Sequence, residues 1–330
     1  MKHVRLGRTG LHVSPLCLGT MTFGYQCDEE RSRAILDAAE AGGITFIDSA
    51  DMYPAGGPLE LYGTTEEIIG RWMAGKRDRF IVATKGFFPS GPMPWNMGNS
   101  RHNLIRACEA SLRRLQTDWI DLYQVHSWDP RTPIDETLSA LDHLVQSGKV
   151  RYVGCSNTLA YQLARSLGRA EVLGTVRFDC VQPRYNLLFR ENERELLPLA
   201  AEEGIGVIPY NPLAGGLLTG KHRFDTGPTD GTRFTLPSQG ERYQERYWHE
   251  REFATVGAIT ALAAEAGMSP AQLAVAWVLA NPVVTAPIIG ASRPEQLADA
   301  LAAQANPLDP ALKARLDELT VEYRRGDSAR

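Results

Sequence analysis

The chain has 330 residues, 43% hydrophobic and 22% charged, which allows two domains of ordinary size or one large α/β barrel and excludes a fibrous, disordered or disulfide-stapled protein. Thirty-five Lys and Arg against thirty-nine Asp and Glu leave a net charge of -4, so there is no global positive field to hold a nucleic-acid backbone or an anionic membrane. A small-molecule partner is the expectation.

The first residues, MKHVRLGRTGLHVSPL, contain neither a signal-peptide core nor an amphipathic transit segment, and no stretch of the chain approaches the roughly 20 apolar residues of a membrane span. Five scattered cysteines, Cys17, Cys27, Cys108, Cys155 and Cys180, form no C-x-x-C pair, which argues against a zinc ribbon, a redox dithiol or a secreted framework. A reducing, cytoplasmic location is expected. Within the opening segment, VRLGRTGLHVSPL predicts two short strands joined by a Gly-containing turn, a hairpin able to close the bottom of a barrel.

Eight apolar runs of strand length follow: Leu16 to Leu18, Ile44 to Ile47, Phe80 to Thr84, Ile120 to Val125, Val150 to Gly154, Cys180 to Gln182, Val207 to Tyr210 and Val284 to Ile289. Between them lie amphipathic stretches with apolar residues at helical spacing, among them Arg31 to Ala41, Thr65 to Met73, Asn103 to Leu115, Ile134 to Gln146 and Glu193 to Glu202. The alternation predicts βα units around a parallel sheet. With no Pro/Ser/Gly linker and no second core, residues 1–330 form one domain, an α/β (β/α)8 TIM barrel with an N-terminal hairpin and a long loop after strand 7. An open doubly wound sheet would want G-x-G-x-x-G after an early strand; here Gly19-Thr20-Met21-Thr22-Phe23-Gly24 stands instead. Residues 222–250, rich in Gly, Pro and charge, are expected to be an irregular cover over the site.

In such a barrel, functional groups sit at the C-terminal ends of the strands. The second run ends in Asp48, with Tyr53 in the following loop, the third ends in Lys85 and the fourth in His126. Taken singly, each has an ordinary structural reading: a helix cap, a packed aromatic, a barrel-lining ion pair, a core imidazole. Their collection at one rim favours chemistry. A phenol ionises near pH 10, so Tyr53 can act as an acid near neutrality only beside a cation such as Lys85. Asp48 would hold that lysine charged, and a neutral His126 would donate to a substrate oxygen. A barrel aldolase using Lys85 as a Schiff-base nucleophile is the other chemistry these groups permit.

Downstream, Ser156 and Asn157, Gln182 and Tyr210 follow or end the fifth, sixth and seventh runs. Amides and a hydroxyl match a carboxamide, and a tyrosine face matches a planar ring; loop hydrogen bonding is the plainer alternative. Gly215 to Lys221 spells G-x-x-x-x-G-K, but His222 occupies the place of the Ser or Thr that ligates magnesium. A glycine-rich backbone there still suits a pyrophosphate, with Lys221 and Arg233 adding charge. After the eighth run, Gly290-Ala291-Ser292-Arg293-Pro294-Glu295-Gln296 leads into a helix, a recurrent phosphate position in barrels, or else a plain Ser-capped start. Phe23, Trp95, Trp128 and residues of the 222–250 loop are expected to build an apolar substrate pocket beside Tyr53 and His126.

Leu18-Gly19-Thr20-Met21, Gly43 through Asp48-Ser49-Ala50 to Tyr53, Thr84-Lys85, Ser111 to Leu115, Ile120 to His126, Gly148 to Ser156-Asn157 and Ile289 to Arg293 together resemble the aldo-keto reductase superfamily over nearly the whole chain. The resemblance implies an NADPH-dependent carbonyl reductase that needs no metal. It makes Asp48, Tyr53, Lys85 and His126 the catalytic tetrad, with Tyr53 the proton donor. It also implies that Ser156, Asn157 and Gln182 bind the carboxamide and Tyr210 stacks on the ring. Gly19, Thr20, Met21 and Gly290 belong to the same cofactor site. Pro212, Leu213, Gly215 and Lys221 would hold the pyrophosphate, and Ser292, Arg293 and Gln296 the 2′-phosphate. Two departures stand out. Ala300 replaces an adenine-contacting Asn, which leaves NADH open, and the loop between Tyr53 and Glu66 is longer than in compact members. The scaffold also resembles potassium-channel β subunits, in which the barrel serves binding or redox sensing; the complete tetrad favours an enzyme.

Overall fold

A computed structural model describes residues 1–237 and 239–324. Two short strands, β1 (Val4–Arg5) and β2 (His12–Val13), pair antiparallel. Thereafter strands and helices alternate: β3 (Cys17–Gly19), α1 (Glu29–Ala41), β4 (Phe46–Asp48), α2 (Thr64–Met73), β5 (Ile81–Gly86), α3 (Arg101–Leu115), β6 (Ile120–Val125) and α4 (Ile134–Gln146). They continue as β7 (Val150–Ser156), α5 (Ala160–Leu173), β8 (Cys180–Gln182), α6 (Leu196–Glu203) and β9 (Gly206–Val207). After a long excursion come α7 (Gly240–Tyr247), α8 (Glu250–Glu265), α9 (Pro270–Leu279), β10 (Ile288–Gly290), α10 (Ala298–Ala305) and α11 (Pro310–Leu319).

Strands β3 to β10 make one eight-stranded parallel sheet in the order β10-β3-β4-β5-β6-β7-β8-β9. The sheet curls until its edges meet, with Val207 of β9 bridging Val284 just ahead of β10. The N–H groups of Thr285 and Ile288 donate to the carbonyls of Val207 and Pro209, each at 2.8 Å.

Alternation along each strand sorts side chains onto two faces. On the outer face Leu18, Ile47, Val82, Tyr123, Val153 and Val181 join the large core beneath the helices. On the inner face Cys17, Phe46, Ala83, Leu122, Cys180, Ile208 and Ala286 form a second core, which Leu6 and Val13 of the hairpin plug from below. Burial on both faces is what makes parallel strands legible as continuous apolar runs. The helices start where short polar side chains accept first-turn N–H groups: Asp28 before α1, Ser100 before α3, Ser269 before α9 and Asp309 before α11. Among the described residues no single helix is long and apolar enough to cross a membrane, and all five cysteines are buried free thiols.

Three expectations shift. The seventh and eighth runs, 207–210 and 284–289, form ladders only over Gly206–Val207 and Ile288–Gly290, because Pro209 and Pro287 carry no N–H to continue them. The helix expected from Glu193 begins at Leu196, behind a 3-10 turn over Glu191–Glu193. Segment 222–250, expected to be irregular, contains helix α7 and a 3-10 turn over Arg233–Thr235. Its charge hid two tyrosines four residues apart, Tyr243 and Tyr247, that join the main core.

The hairpin meets the sheet through Gly7, which has φ 54°, while the N–H of Arg8 donates to Gly204 O at 2.7 Å. A Cβ on Gly7 would lie 2.4 Å from both Gly204 O and Gly206 N, backbone atoms that cannot yield. Gly7→Ala is expected to lower stability by about 2–3 kcal/mol, seen as an earlier urea midpoint with the circular dichroism of the native state retained.

Candidate functional site

Two residues beyond the apolar inner layer, the same face of each strand turns polar. Phe46 gives way to Asp48, Ala83 to Lys85, Leu122 to Gln124 and Cys180 to Gln182, while β3 supplies Gly19 and β7 ends in Ser156. The period of two that fills the lower barrel thus lifts a ring of polar groups to its C-terminal end.

The ring is organised around one ion pair. Lys85 Nζ lies 2.6 Å from Asp48 Oδ2, with the lysine fully buried and the aspartate 2% exposed. The ammonium also donates to Ser49 O at 2.7 Å. The second carboxylate oxygen, Asp48 Oδ1, accepts from Gln182 Nε2 at 2.9 Å and from Gln124 Nε2 at 3.2 Å. Burial by itself would lower the Lys85 pKa, but Asp48 and then Tyr53 bring it above the ordinary value, so the amine stays protonated.

Tyr53 hangs over this pair from the loop after β4, its ring centroid 5.1 Å from Lys85 Nζ. Burial raises the phenol pKa above its ordinary value, and the Lys85 charge offsets only part of that rise. His126, one residue beyond β6, meets the Tyr53 ring edge-on at 6.0 Å and the Phe88 ring at 4.9 Å. Burial, reinforced by the Lys85 charge, pushes its pKa well below the usual imidazole range. The ring is therefore neutral, and its buried Nδ1 has no hydrogen-bond partner.

A cavity of about 850 Å³ opens above these groups. Asp48, Tyr53 and His126 line it, with Gly19, Thr20 and Met21 on one wall and Ser156, Asn157, Gln182 and Tyr210 opposite. Asn157 ties that wall together: its amide donates to His126 O at 2.8 Å and its Oδ1 accepts from the Tyr210 hydroxyl at 2.9 Å. Pro212, Leu213, Gly215, Lys221 and Arg233 line one end, and Gly290, Ser292 and Gln296 line it nearby. Asn211 Oδ1 caps the loop there by accepting from the Gly215 N–H at 2.6 Å, and Gly215 and Gly216 both take positive φ.

These residues suit a phosphate-bearing dinucleotide. A Cβ on Gly216 would occupy open space, its nearest neighbours being His222 Nε2 at 3.9 Å and Lys221 Cε at 4.0 Å, and that buried imidazole nitrogen has no partner. Two cations, Lys221 and Arg233, and a bare glycine backbone line the same volume. The amide wall and the Tyr210 ring at the other end suit a carboxamide and its aromatic ring.

Some expected residues lie elsewhere. Lys85 is beneath the cavity floor, paired with Asp48 and 5.1 Å from the Tyr53 ring centroid. Arg293 is exposed outside the lining and reaches the site as a charge on Lys221. The expected apolar pocket of Phe23, Trp95 and Trp128 needs correction. Phe23 is sealed in the main core, Trp128 packs partly against that core, and Trp95 is 52% exposed. Met52, Ala55, Tyr62, Phe88 and Tyr243 line the cavity instead. Phe23 belongs to a local turn, since its N–H donates to Thr20 O and its carbonyl accepts from Thr65 Oγ1. Gln124 and Asn211 also escaped sequence reasoning, although the alternation that buries Leu122 inward carries Gln124 to the same face.

With this geometry in place, residues 15–321 match the aldo/keto reductase family, and the chain belongs to it. Over 328 residues it is 40% identical to the uncharacterized oxidoreductase YrpG of Bacillus subtilis (strain 168), covering 97% of this chain and 96% of that one. It is 36% identical over 305 residues to L-glyceraldehyde 3-phosphate reductase of Escherichia coli (strain K12), with 90% and 86% covered. An Arabidopsis thaliana protein described as "Probable voltage-gated potassium channel subunit beta" is 36% identical over 299 residues, with 90% and 89% covered.

Near the groups of this site lies a second buried charge cluster. Glu66 accepts from Thr84 Oγ1 at 2.5 Å and pairs with Arg114 at 2.6 Å, while the Asp51 carboxyl is buried with neither oxygen hydrogen-bonded. Burial, then the nearby Glu66, raises the Asp51 pKa to about 8. An unfolded aspartate ionises near 3.9, so between the two values the folded chain holds a proton that the unfolded chain has lost. Stability from this group is present below pH 4 and drains away as pH rises towards 8. Asp51→Asn, which stays neutral, is expected to raise the melting temperature over wild type by a margin that widens from pH 5 to pH 8 and then levels. A margin that shrinks with pH in thermal unfolding would contradict the assignment.

Proposed function

We propose that this chain is an NADPH-dependent reductase of aldehydes and ketones, working reversibly, with Tyr53 as the proton donor. The observation that carries the reading is the buried Lys85–Asp48 pair beneath the Tyr53 phenol, because a positive charge held there lowers the cost of negative charge on that phenol. The sheet is accordingly read as a complete (β/α)8 barrel with its hairpin at the closed end, a reading supported by the contacts that join β9 to β10.

When bound, a reduced nicotinamide supplies the hydrogen and electron pair for the carbonyl carbon. The chain's own residues do the rest. Tyr53 gives its proton to the oxygen as negative charge develops there, and the Lys85 ammonium lowers the cost of the phenolate left behind. Asp48, held by Gln182 and Gln124, keeps that ammonium charged and fixed. The neutral His126 donates to the same oxygen and orients the carbonyl. Ser156, Asn157 and Gln182 bind the carboxamide, and Tyr210 stacks on the ring. Lys221, Arg233, Ser292, Arg293, Gln296 and the 212–221 loop take the phosphates. Arg293 beside Lys221 is the feature that supports NADPH over NADH.

The 36% identity to a protein described as a channel β subunit supports a second reading, a nucleotide-binding subunit without turnover. A carbonyl screen following NADPH oxidation separates the two. Tyr53→Phe is expected to lower kcat by about 10²–10³-fold while the dissociation constant of NADPH changes by less than about twofold. Turnover equal to wild type would remove Tyr53 from the reaction. Nucleotide binding without oxidation across the panel would favour the second reading.

A further inference from the structure

Helix α7 brings two more cations to the cavity. Arg242 and Arg246 stand four residues apart on one helix face, with Tyr243 between them, and all three line the cavity that Tyr53 and His126 floor. Several arginines elsewhere are paired: Arg71, Arg77, Arg114, Arg169, Arg177 and Arg190 each reach a carboxylate within 3.0 Å. Among the described residues Arg242 and Arg246 have no such partner; Arg242 is exposed and Arg246 half-buried, and the acids beside them, Glu241 and Glu245, are exposed. Two like charges at this spacing repel each other, an arrangement that an incoming anion relieves.

Among the described residues the cavity offers them no ion-pair partner, its only carboxylates being Asp48 and Asp299; the first is bound to Lys85 and the second accepts from Ser269 Oγ at 2.7 Å. The two arginines border the cations of the phosphate end, since Arg233 lies 5.7 Å from the ring of Tyr243. Arg233 lies 3.6 Å from Met21 Sδ and beside Gly290, and Lys221 feels Arg293. Arg246 and Arg242 instead act on the Tyr210 phenol, which is bonded through Asn157 to His126. Walls of low polarity, from Met52, Tyr62 and Phe88, strengthen a field at this end.

We propose that Arg242 and Arg246 form an anion site facing the tetrad, so that the carbonyl compounds this chain takes carry a carboxylate or a phosphate. A guanidinium presents a planar fork that matches either group, and two of them select strongly against a neutral analogue. As an account of turnover the inference rests on the reductase reading; as an account of binding it stands on the cavity alone.

The test uses the full chain with NADPH and two matched pairs of aldehydes. One pair is 4-carboxybenzaldehyde and methyl 4-formylbenzoate; the other is 4-formylphenyl phosphate and 4-methoxybenzaldehyde. In wild type, kcat/KM should favour the anionic member of at least one pair by about tenfold or more, and which pair shows it identifies the group. Arg242→Gln with Arg246→Gln should collapse that ratio, and Arg242→Lys with Arg246→Lys should restore much of it. An equal ratio in wild type and the Gln variant overturns the proposal, as does a weakened NADPH affinity in place of a changed ratio. Calorimetric binding of 4-carboxybenzyl alcohol and 4-(hydroxymethyl)phenyl phosphate reads the same contact without turnover. If no aldehyde is reduced, the reductase reading fails, while loss of anion binding in the Gln variant still supports the site and unchanged binding still overturns it.

Discussion

An ammonium and a carboxylate withdrawn from water inside the sheet govern how the rest of this molecule is arranged. Removing both charges from solvent costs several kcal/mol per ion, and their attraction offsets this only where geometry and further hydrogen bonds satisfy them. Here the satisfaction comes from Ser49 O, Gln124 and Gln182, so β4, β5, β6 and β8 must hold their register for the pair to survive. A well-packed apolar pair would stabilise the barrel as well or better. That a Lys–Asp pair stands there instead, under a tyrosine, is intelligible as chemistry rather than as support.

The polar layer above and the apolar layer below divide the barrel between two tasks. Cys17, Phe46, Leu122 and their neighbours, closed off by Leu6, supply the packing that fixes the strands. One step further along, the groups that must meet substrate inherit that rigidity without contributing to it. The cover over the mouth packs Phe234, Tyr243 and Tyr247 into the main core, and Tyr247 also accepts from Asn186 and Asn211, which ties α7 to the segments after β8 and β9. The walls next to Tyr53 and His126 come from Met52, Tyr62 and Phe88 in the loops after β4 and β5 and the charges from α7, whereas the floor is fixed by the whole sheet.

The legible parts of the chain are those where one local rule has one outcome. Eight apolar runs in alternation with amphipathic segments leave little but a parallel sheet wrapped in helices, and polar residues ending those runs point to one rim. Asp48, Lys85 and His126 come out of that rule directly. Other features depend on contacts that no local pattern encodes. Trp95 and Trp128 look like pocket residues because they are large and near the rim, yet a tryptophan covers whichever surface its loop reaches. Helix α7 was obscured because six of its eight residues are glycine, charged or amide-bearing, and its two buried tyrosines show only against the core they meet. Gln124 was within reach, since alternation from Leu122 carries it to the inner face.

The cysteines bear on how such a molecule withstands what it handles. All five sulfurs are buried; burial lifts Cys108 and Cys155 to about 12 and sets Cys17 and Cys180, directly below the Asp48 layer, well above the usual thiol range. Only the thiolate form is strongly nucleophilic, so an electrophile arriving at the mouth finds no sulfur able to attack it. The layer that packs the sheet beneath the polar groups therefore keeps its sulfurs as thiols, contributing bulk rather than reactivity.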